Sequence, residues 1–248
     1  MDPRQLAVSV YNDPMKQLST YVKTVMNDPK GTMYQYQPFV LRMYQALSTS
    51  QENYIFQLKK GISPNETPID IRLDNNDGFY AAYMSVVIRK YVGTAGSEDW
   101  GKYYDFPYVD PNFFAGNNGE AASLNTVFSG VTTVQTKTVE RLNLATDVFR
   151  MVPEHPYVIN PGAGPQVAPE IPQYGAGLED QGFFRLPDLI GFNGNDDNRI
   201  TVSLGNASNY TGITGTVNSG GTSVTTRNLI GVKMFGIKIV GGSTPAIR

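Results

Sequence analysis

The sequence contains no cysteine, one histidine and one tryptophan among its 248 residues. Without cysteine there is no disulfide framework, no thiolate metal site and no cysteine nucleophile. The single histidine, His155, cannot form a metal site that needs two histidines, and no Gly-x-Ser-x-Gly turn accompanies it as part of a triad. Neither a Walker motif nor a Rossmann glycine motif is present. We therefore expect no enzymatic activity, no metal ion and no cofactor.

Charged residues are also scarce, at 17% of the chain, and neither sign is concentrated in one region. Residues 1–124 contain 11 Lys and Arg against 13 Asp and Glu, and residues 125–248 contain 9 of each kind. A protein that binds nucleic acid directly usually carries a basic patch or a basic arm. The even distribution of charge predicts no direct binding of nucleic acid.

Long hydrophobic runs are missing as well. The longest nearly apolar stretch, residues 79–88, is far shorter than the roughly 20 residues of a membrane-spanning helix. Residues 1–4 lack the basic and then apolar pattern of a secretory signal peptide. Together with the absence of cysteine, these features favour synthesis in a reducing cytoplasm.

What the chain does contain is typical of an all-β protein. It has 25 Gly, 16 Pro, 15 Tyr and 12 Phe, with turn-forming residues at short intervals. The spacing of apolar residues 39–47 fits either a helix or a strand, and residues 124–131 keep a helical alternative open. Alternating or β-branched runs predict strands at residues 54–58, 69–73, 79–92, 131–144, 200–204 and 232–240.

Two polar clusters predict turns. Residues 74–78 are acidic, but they lack the ligand spacing of a calcium loop and are expected to form a hairpin turn. Residues 193–198 bring two aspartates close together, so a cation site is the alternative to a solvated turn there. Residues 153–172 hold six prolines, which exclude a central strand and predict a stiff, extended excursion.

The N-terminal 30 residues contain the clearest helical signal. Asp13 is a suitable N-cap, Pro14 suits the first helical position, and residues 27–31 end the helix. Such a short helix needs a surface to pack on, either in its own domain or on a neighbouring subunit. The apolar stripe consists of Leu18, Tyr21, Val22, Val25 and Met26, which are candidate inter-subunit contacts.

An aromatic cluster at residues 98–108 supplies three further candidate inter-subunit contacts, Trp100, Tyr103 and Tyr104. Trp and Tyr are favoured at interface hot spots. A loop folded over its own core and a platform that stacks on sugars are the alternatives.

A weak internal similarity suggests two domains. Residues 69–73 and 86–93 resemble residues 200–204 and 236–241 in their alternating pattern and in the glycine that follows. We expect an N-terminal helical arm over residues 1–30 and two β domains, over residues 31–118 and 119–248. The proline-rich segment is the alternative position for the boundary.

Three segments carry a resemblance to a known family: FRLPDLIGF at residues 184–192, NRITVSL at 198–204 and RLNLATDVFR at 141–150. They resemble the major capsid proteins of small tailless icosahedral bacteriophages, particularly those with an internal lipid membrane. The resemblance implies a double jelly roll, with two tandem barrels per chain and a short N-terminal helical arm. It also implies homotrimers that form pseudo-hexagonal capsomers in a virion shell, next to penton proteins and an internal membrane.

Two other functions stay open at this point. A spike, tail or penton protein with a single β-sandwich would bind a host receptor. A carbohydrate-active enzyme would use Asp or Glu, which fold alone can bring together.

Overall fold

The computed structural model describes residues 14–48, 51–61, 70–92, 104–106, 124–150, 182–205, 214–219 and 222–242. This part of the chain consists mainly of antiparallel strands, with one α-helix, so the all-β class is confirmed. No helix among the described residues is both long and apolar enough to cross a bilayer. The proline-rich segment, Trp100 and Tyr103 lie outside the described residues.

Most of the predicted runs form strands, and most of the open segment at residues 39–47 belongs to a strand. The strands at residues 104–106, 184–193 and 214–219 were not predicted. Short 3₁₀ helices at Thr126–Phe128 and Thr146–Phe149 flank two of the strands. The helix and strands are α1 (Pro14–Val25), β1 (Gln35–Ala46), β2 (Asn53–Gln57), β3 (Gly78–Val92), β4 (Tyr104–Phe106), β5 (Val131–Thr136), β6 (Val139–Ala145), β7 (Phe184–Asn193), β8 (Asn198–Ser203), β9 (Thr214–Ser219) and β10 (Thr222–Val240).

The strands form two antiparallel sheets. In the first sheet, β10 lies between β1 and β3, and β9 continues the edge that β1 occupies. The strands β4 and β7 share the other edge of β3, so this six-stranded sheet is four strands wide. The second sheet has the order β2-β8-β5-β6.

The predicted division into two domains does not match these sheets. Gln35 lies opposite Val240 and Ala46 opposite Leu229, so β1 pairs with β10 along its whole length. In the second sheet, β2 pairs with β8 in the same way. Strands from residues 31–118 are thus paired with strands from residues 119–248, and the described strands form one sandwich rather than two tandem barrels.

The pairing also explains the internal similarity. The similar segments 86–93 and 236–241 belong largely to β3 and β10, which are adjacent central strands of one sheet. Both strands face the same core, so they have similar apolar patterns without a duplicated domain.

One core fills the space between the two sheets. Met84 and Val232 from the first sheet and Phe56 and Ile200 from the second are fully buried in the same cluster. A shared core of this kind is the normal arrangement of a β-sandwich.

Residues 70–73 close the sandwich along the edges of β1 and β2. The backbone of Ile71 exchanges hydrogen bonds with Arg42, and Leu73 donates to Leu58. The buried ion pair Asp70–Arg72 has an Nη2–Oδ2 distance of 2.8 Å, and Arg72 also donates to the carbonyl of Gln57. This segment therefore forms isolated bridges instead of the predicted strand.

Both clusters form turns, but residues 74–78 are not a hairpin turn, because Leu73 bridges Lys59 whereas Gly78 pairs with Ile239 and Asn193. In the acidic turn, Asp77 is buried, pairs with Lys238 at 2.6 Å and accepts a hydrogen bond from the amide of Gly241. In the second turn, Asp196 accepts from Asn193 and lies 3.4 Å from Lys137 Nζ. Among the described residues, no group of three or more potential metal ligands of the His, Cys, Asp and Glu types comes together.

Candidate functional site

We call the side of the six-stranded sheet that faces away from the core the outer face. Of the part of the chain that the structure describes, it has the most distinctive chemistry. Cross-strand neighbours Tyr80 and Ile237 both lie on it, because Phe79 and Ala81 on either side of Tyr80 enter the core. The outer face has an apolar end, which α1 covers, and a charged cluster formed by Tyr44, Arg89, Asp105 and Lys233.

The apolar end is covered by the helix of the same chain. Val22 is fully buried against Tyr80, Ile237 and Ile239, and the Tyr80 hydroxyl lies 3.9 Å from the sulfur of Met26. These residues form a small cluster separate from the main core. The predicted stripe is therefore a real packing surface, and its described contacts are made within the chain.

The candidate inter-subunit contacts differ in how much of each side chain stays exposed and could touch another molecule. Leu18, Val25 and Met26 are partly buried beside Val22, whereas Tyr21 keeps 58% of its surface exposed. The candidate Tyr104 belongs to β4, where its backbone pairs with Lys90. Tyr21 is thus the member of the stripe that presents most of its side chain outward.

The connection from α1 to β1 is organised around one carboxylate. The helix ends at Val25, and a turn follows in which Asn27 has a left-handed φ of +56°. The next residue, Asp28, is only 3% exposed. The Asp28 carboxylate accepts hydrogen bonds from the backbone amides of Thr32 (2.9 Å), Met33 (3.0 Å) and Tyr34 (3.3 Å) and from the Tyr36 hydroxyl (3.2 Å).

These contacts have opposite effects on the two acids that share them. Burial acts to raise the pKa of Asp28, but its hydrogen bonds to backbone amides and to Tyr36 outweigh burial and hold the pKa below the ordinary value of 3.8. Burial, together with the hydrogen bond to Asp28, raises the pKa of Tyr36 to about 12. At neutral pH the pair is therefore a carboxylate and a neutral phenol.

The charged cluster lies towards the other end of the outer face and centres on Asp105 of β4. Oδ2 of Asp105 is 2.5 Å from Nζ of Lys233 and accepts a hydrogen bond from the Tyr44 hydroxyl at 2.9 Å. Oδ1 lies 3.4 Å from Nε of Arg89. The partners come from β1, β3 and β10, so one carboxylate contacts three other strands of the sheet.

The ring of Tyr44 lies across the sheet, over Gly231 of β10. A Cβ atom at position 231 would be only 2.5 Å from Cδ1 of Tyr44, so the absence of a side chain there makes room for the ring. The Arg89 guanidinium sits over the same ring at 4.6 Å, a cation–π arrangement. Burial and then the neighbouring Asp105 raise the pKa of Tyr44 well above its ordinary value, so the hydroxyl remains a donor.

Contacts within the chain engage the buried carboxylates of the described residues. The buried or largely buried ones have these partners: Asp28 with backbone amides, Asp70 with Arg72, Asp77 with Lys238, and Asp105 with Lys233. Two open depressions also occur among the described residues. One, of about 400 Å³, is lined by residues 148–150 and 182–185; the other, of about 310 Å³, is lined by Gln57, Lys59 and residues 195–198.

Sequence reasoning found the helix but not the charged cluster. Tyr44, Arg89, Asp105 and Lys233 come from four strands, and no local pattern links them. One local signal was available: Gly231 interrupts an apolar strand, and glycine inside a strand often marks a close approach of other atoms.

No protein-family model, curated protein or solved structure matches this chain.

Proposed function

We propose that this chain is a structural shell protein of an icosahedral virus particle, built on a single jelly roll. The observation that carries the proposal is the strand order, with β1-β10-β3-β7 facing β2-β8-β5-β6. Successive strands of the chain exchange between the two sheets in the way that eight jelly-roll strands do, and viral capsid proteins are a major use of this architecture. The strands β4 and β9 are additions to that plan.

The chemistry of the described residues supports a structural role. The carboxylates named above are engaged in contacts that hold the fold, and the two depressions are open. Because fold alone does not determine function, the support from strand order is an analogy, and the resemblance of residues 141–150, 184–192 and 198–204 to phage capsid proteins adds to it.

A single barrel changes the expected capsomer. Three chains make a pseudo-hexagonal ring only if each contributes two barrels. With one barrel per chain, a six-sided capsomer takes six chains and a fivefold vertex takes five. We therefore propose pentamers or hexamers in place of the expected homotrimers, with a penton protein or an internal membrane as further neighbours in the virion.

Two exposed apolar side chains are candidates for contacts between copies. Tyr21 on α1 is 58% exposed, and Met33 in the loop that follows is 72% exposed. Large apolar side chains at such exposure gain most from being covered by a second molecule.

The proposal is tested by the native mass of the purified full chain across protein concentration and salt, with electron microscopy of the same samples. We expect species of five or six times 27.2 kDa, or closed shells. Tyr21→Ala should weaken this assembly, and Thr24→Ala, an exposed position one turn along the same helix, should not. A monomer under all conditions would contradict the proposal.

A second candidate is a penton or spike protein that binds a host receptor, which the single sandwich also favours. It predicts binding of the isolated chain to host cells or glycans without shell formation. Small oligomers that bind cells and never form shells would favour this candidate over the first.

A further inference from the structure

The two edges of the second sheet are closed to different degrees. At the β2 edge, the carbonyl of Ile55 accepts a hydrogen bond from the Gln45 side chain, and the carbonyl of Gln57 accepts one from Arg72. At the other edge, the β6 backbone pairs with β5 and, within the continuously described residues 124–150, with nothing on its far side. An edge strand of this kind presents backbone N–H and C=O groups that can pair with another chain.

The register of β5 and β6 shows which backbone groups point outward at this edge. The amide of Thr146 donates to the carbonyl of Gly130 at 2.9 Å, in register with the residue pairs of the two strands. Hydrogen-bonded and non-hydrogen-bonded pairs alternate in an antiparallel ladder. Leu144 therefore bonds to β5, whereas Asn143 and Ala145 direct their N–H and C=O groups away from it.

We propose that β6 pairs antiparallel with β6 of a second copy of this chain, about a twofold axis at Asn143. In this register each Asn143 backbone donates to the other and accepts from it. Leu142 lies opposite Leu144 of the second copy in a non-hydrogen-bonded pair, in which side chains approach most closely. Both leucines are only partly buried against the main core, so the contact covers apolar surface that one chain leaves exposed.

The order of charges along the segment favours a second copy in the antiparallel direction. Arg141 lies opposite Ala145 of the second copy, and Asp147 follows soon after; all three side chains are exposed. An arginine of one copy thus approaches an aspartate of the other at both ends, since a twofold axis repeats each contact. The register shift in β5 and β6 leaves Arg141 unopposed in a bulge, which limits the paired stretch to residues 141–145. The inference goes beyond the proposed function, because two free chains suffice for this contact.

The first test uses the absence of cysteine from the full chain. Asn143→Cys places one thiol of each copy at the twofold axis, where opposite Cα atoms about 5.5 Å apart are within disulfide range. After mild oxidation, non-reducing electrophoresis should show covalent dimers at about ten times the yield from Ile55→Cys, because the paired strands hold the two thiols together. Ile55 is 44% exposed but lies on the closed β2 edge, so its variant measures random collision.

The second test removes the outward amide. Asn143→Pro has no N–H at this position, and it breaks no hydrogen bond to β5 because that amide faces away from β5. Loss of both bonds across the axis should raise the dissociation constant of the dimer, measured by sedimentation velocity, by about tenfold or more. Asn143→Ala loses the same side chain but keeps the amide, so it should self-associate like the unchanged protein.

Equal cross-linking of the two cysteine variants would overturn the inference, as would unchanged self-association of Asn143→Pro. If Asn143→Pro does not fold, the cross-linking result decides alone. Cross-linked Asn143→Cys dimers without pentamers, hexamers or shells would support this contact and contradict the proposed shell.

Discussion

At the scale of single residues, the outer face depends on carboxylates whose partners are fixed by the fold. Asp28 accepts three backbone amides and one phenol, so its charge organises the loop between α1 and β1. Asp105 does the same for β4 with side chains from three strands. In both places, one carboxylate connects groups from different segments of the chain.

The lowered pKa of Asp28 predicts a pH-dependent contribution to stability. Because this pKa is lower in the folded than in the unfolded chain, the contribution is fully present above the unfolded pKa, near 3.8, and is lost as pH falls through the folded pKa. We expect Asp28→Asn to lower the urea midpoint at about pH 7, and the difference from the unchanged protein to shrink towards about pH 2.

The control for this prediction is Asp188→Asn, since Asp188 is exposed on β7. Its urea midpoint should stay close to that of the unchanged protein throughout. If Asp28→Asn lowers the urea midpoint as much in acid as at neutral pH, the carboxylate charge is not the cause of the lost stability.

Gly231 allows a second prediction at this scale. Gly231→Ala places a methyl group 2.5 Å from the Tyr44 ring, so the ring must move away from Asp105. We expect a loss of about 1–3 kcal/mol in the free energy of unfolding, as is usual when an atom is forced into a packed site. In a Tyr44→Leu background, Gly231→Ala should lower the free energy of unfolding by less. Equal losses in both backgrounds would show that contact with the Tyr44 ring is not the cause of the destabilisation.

At the scale of elements, α1 is an amphipathic helix that covers an apolar patch of its own chain. Its stripe was predictable because helical spacing is a local property of the sequence. The surface that it covers was not, because Tyr80 and Ile237 lie on distant strands and meet only through the register of β3 and β10.

The packing of α1 predicts different effects for its two faces. Val22→Ala should lower the free energy of unfolding by about 1–2 kcal/mol, since it removes two methyl groups from a fully buried position. Thr24→Ala, on the exposed face, should have little effect. Urea unfolding of both variants gives the comparison, and equal effects would mean that α1 does not pack on the sheet as described.

At the scale of the whole molecule, the sequence was informative about strands and uninformative about their partners. Residues 54–58, 79–92 and 200–204 were predicted as strands because alternation and β-branched residues are local signals. The division at residue 118 was wrong because similar strands were read as repeated domains, whereas β3 and β10 are neighbours in one sheet. Residues 69–73 showed the right alternation, but Asp70 and Arg72 form a buried ion pair at the sandwich edge instead of continuing a ladder.

The central claim is that the two halves of the chain share both sheets, and the absence of cysteine allows a direct test. Ile55 of β2 and Thr201 of β8 are directly opposite, so the pair Ile55→Cys and Thr201→Cys should form an intramolecular disulfide under mild oxidation. The control pair Ile55→Cys and Thr133→Cys should not, because β8 separates the two positions by about 10 Å. Non-reducing electrophoresis after a protease cut between the halves reads out the bond. Halves linked in the first pair alone would support the single sandwich, and halves that separate in both would contradict it.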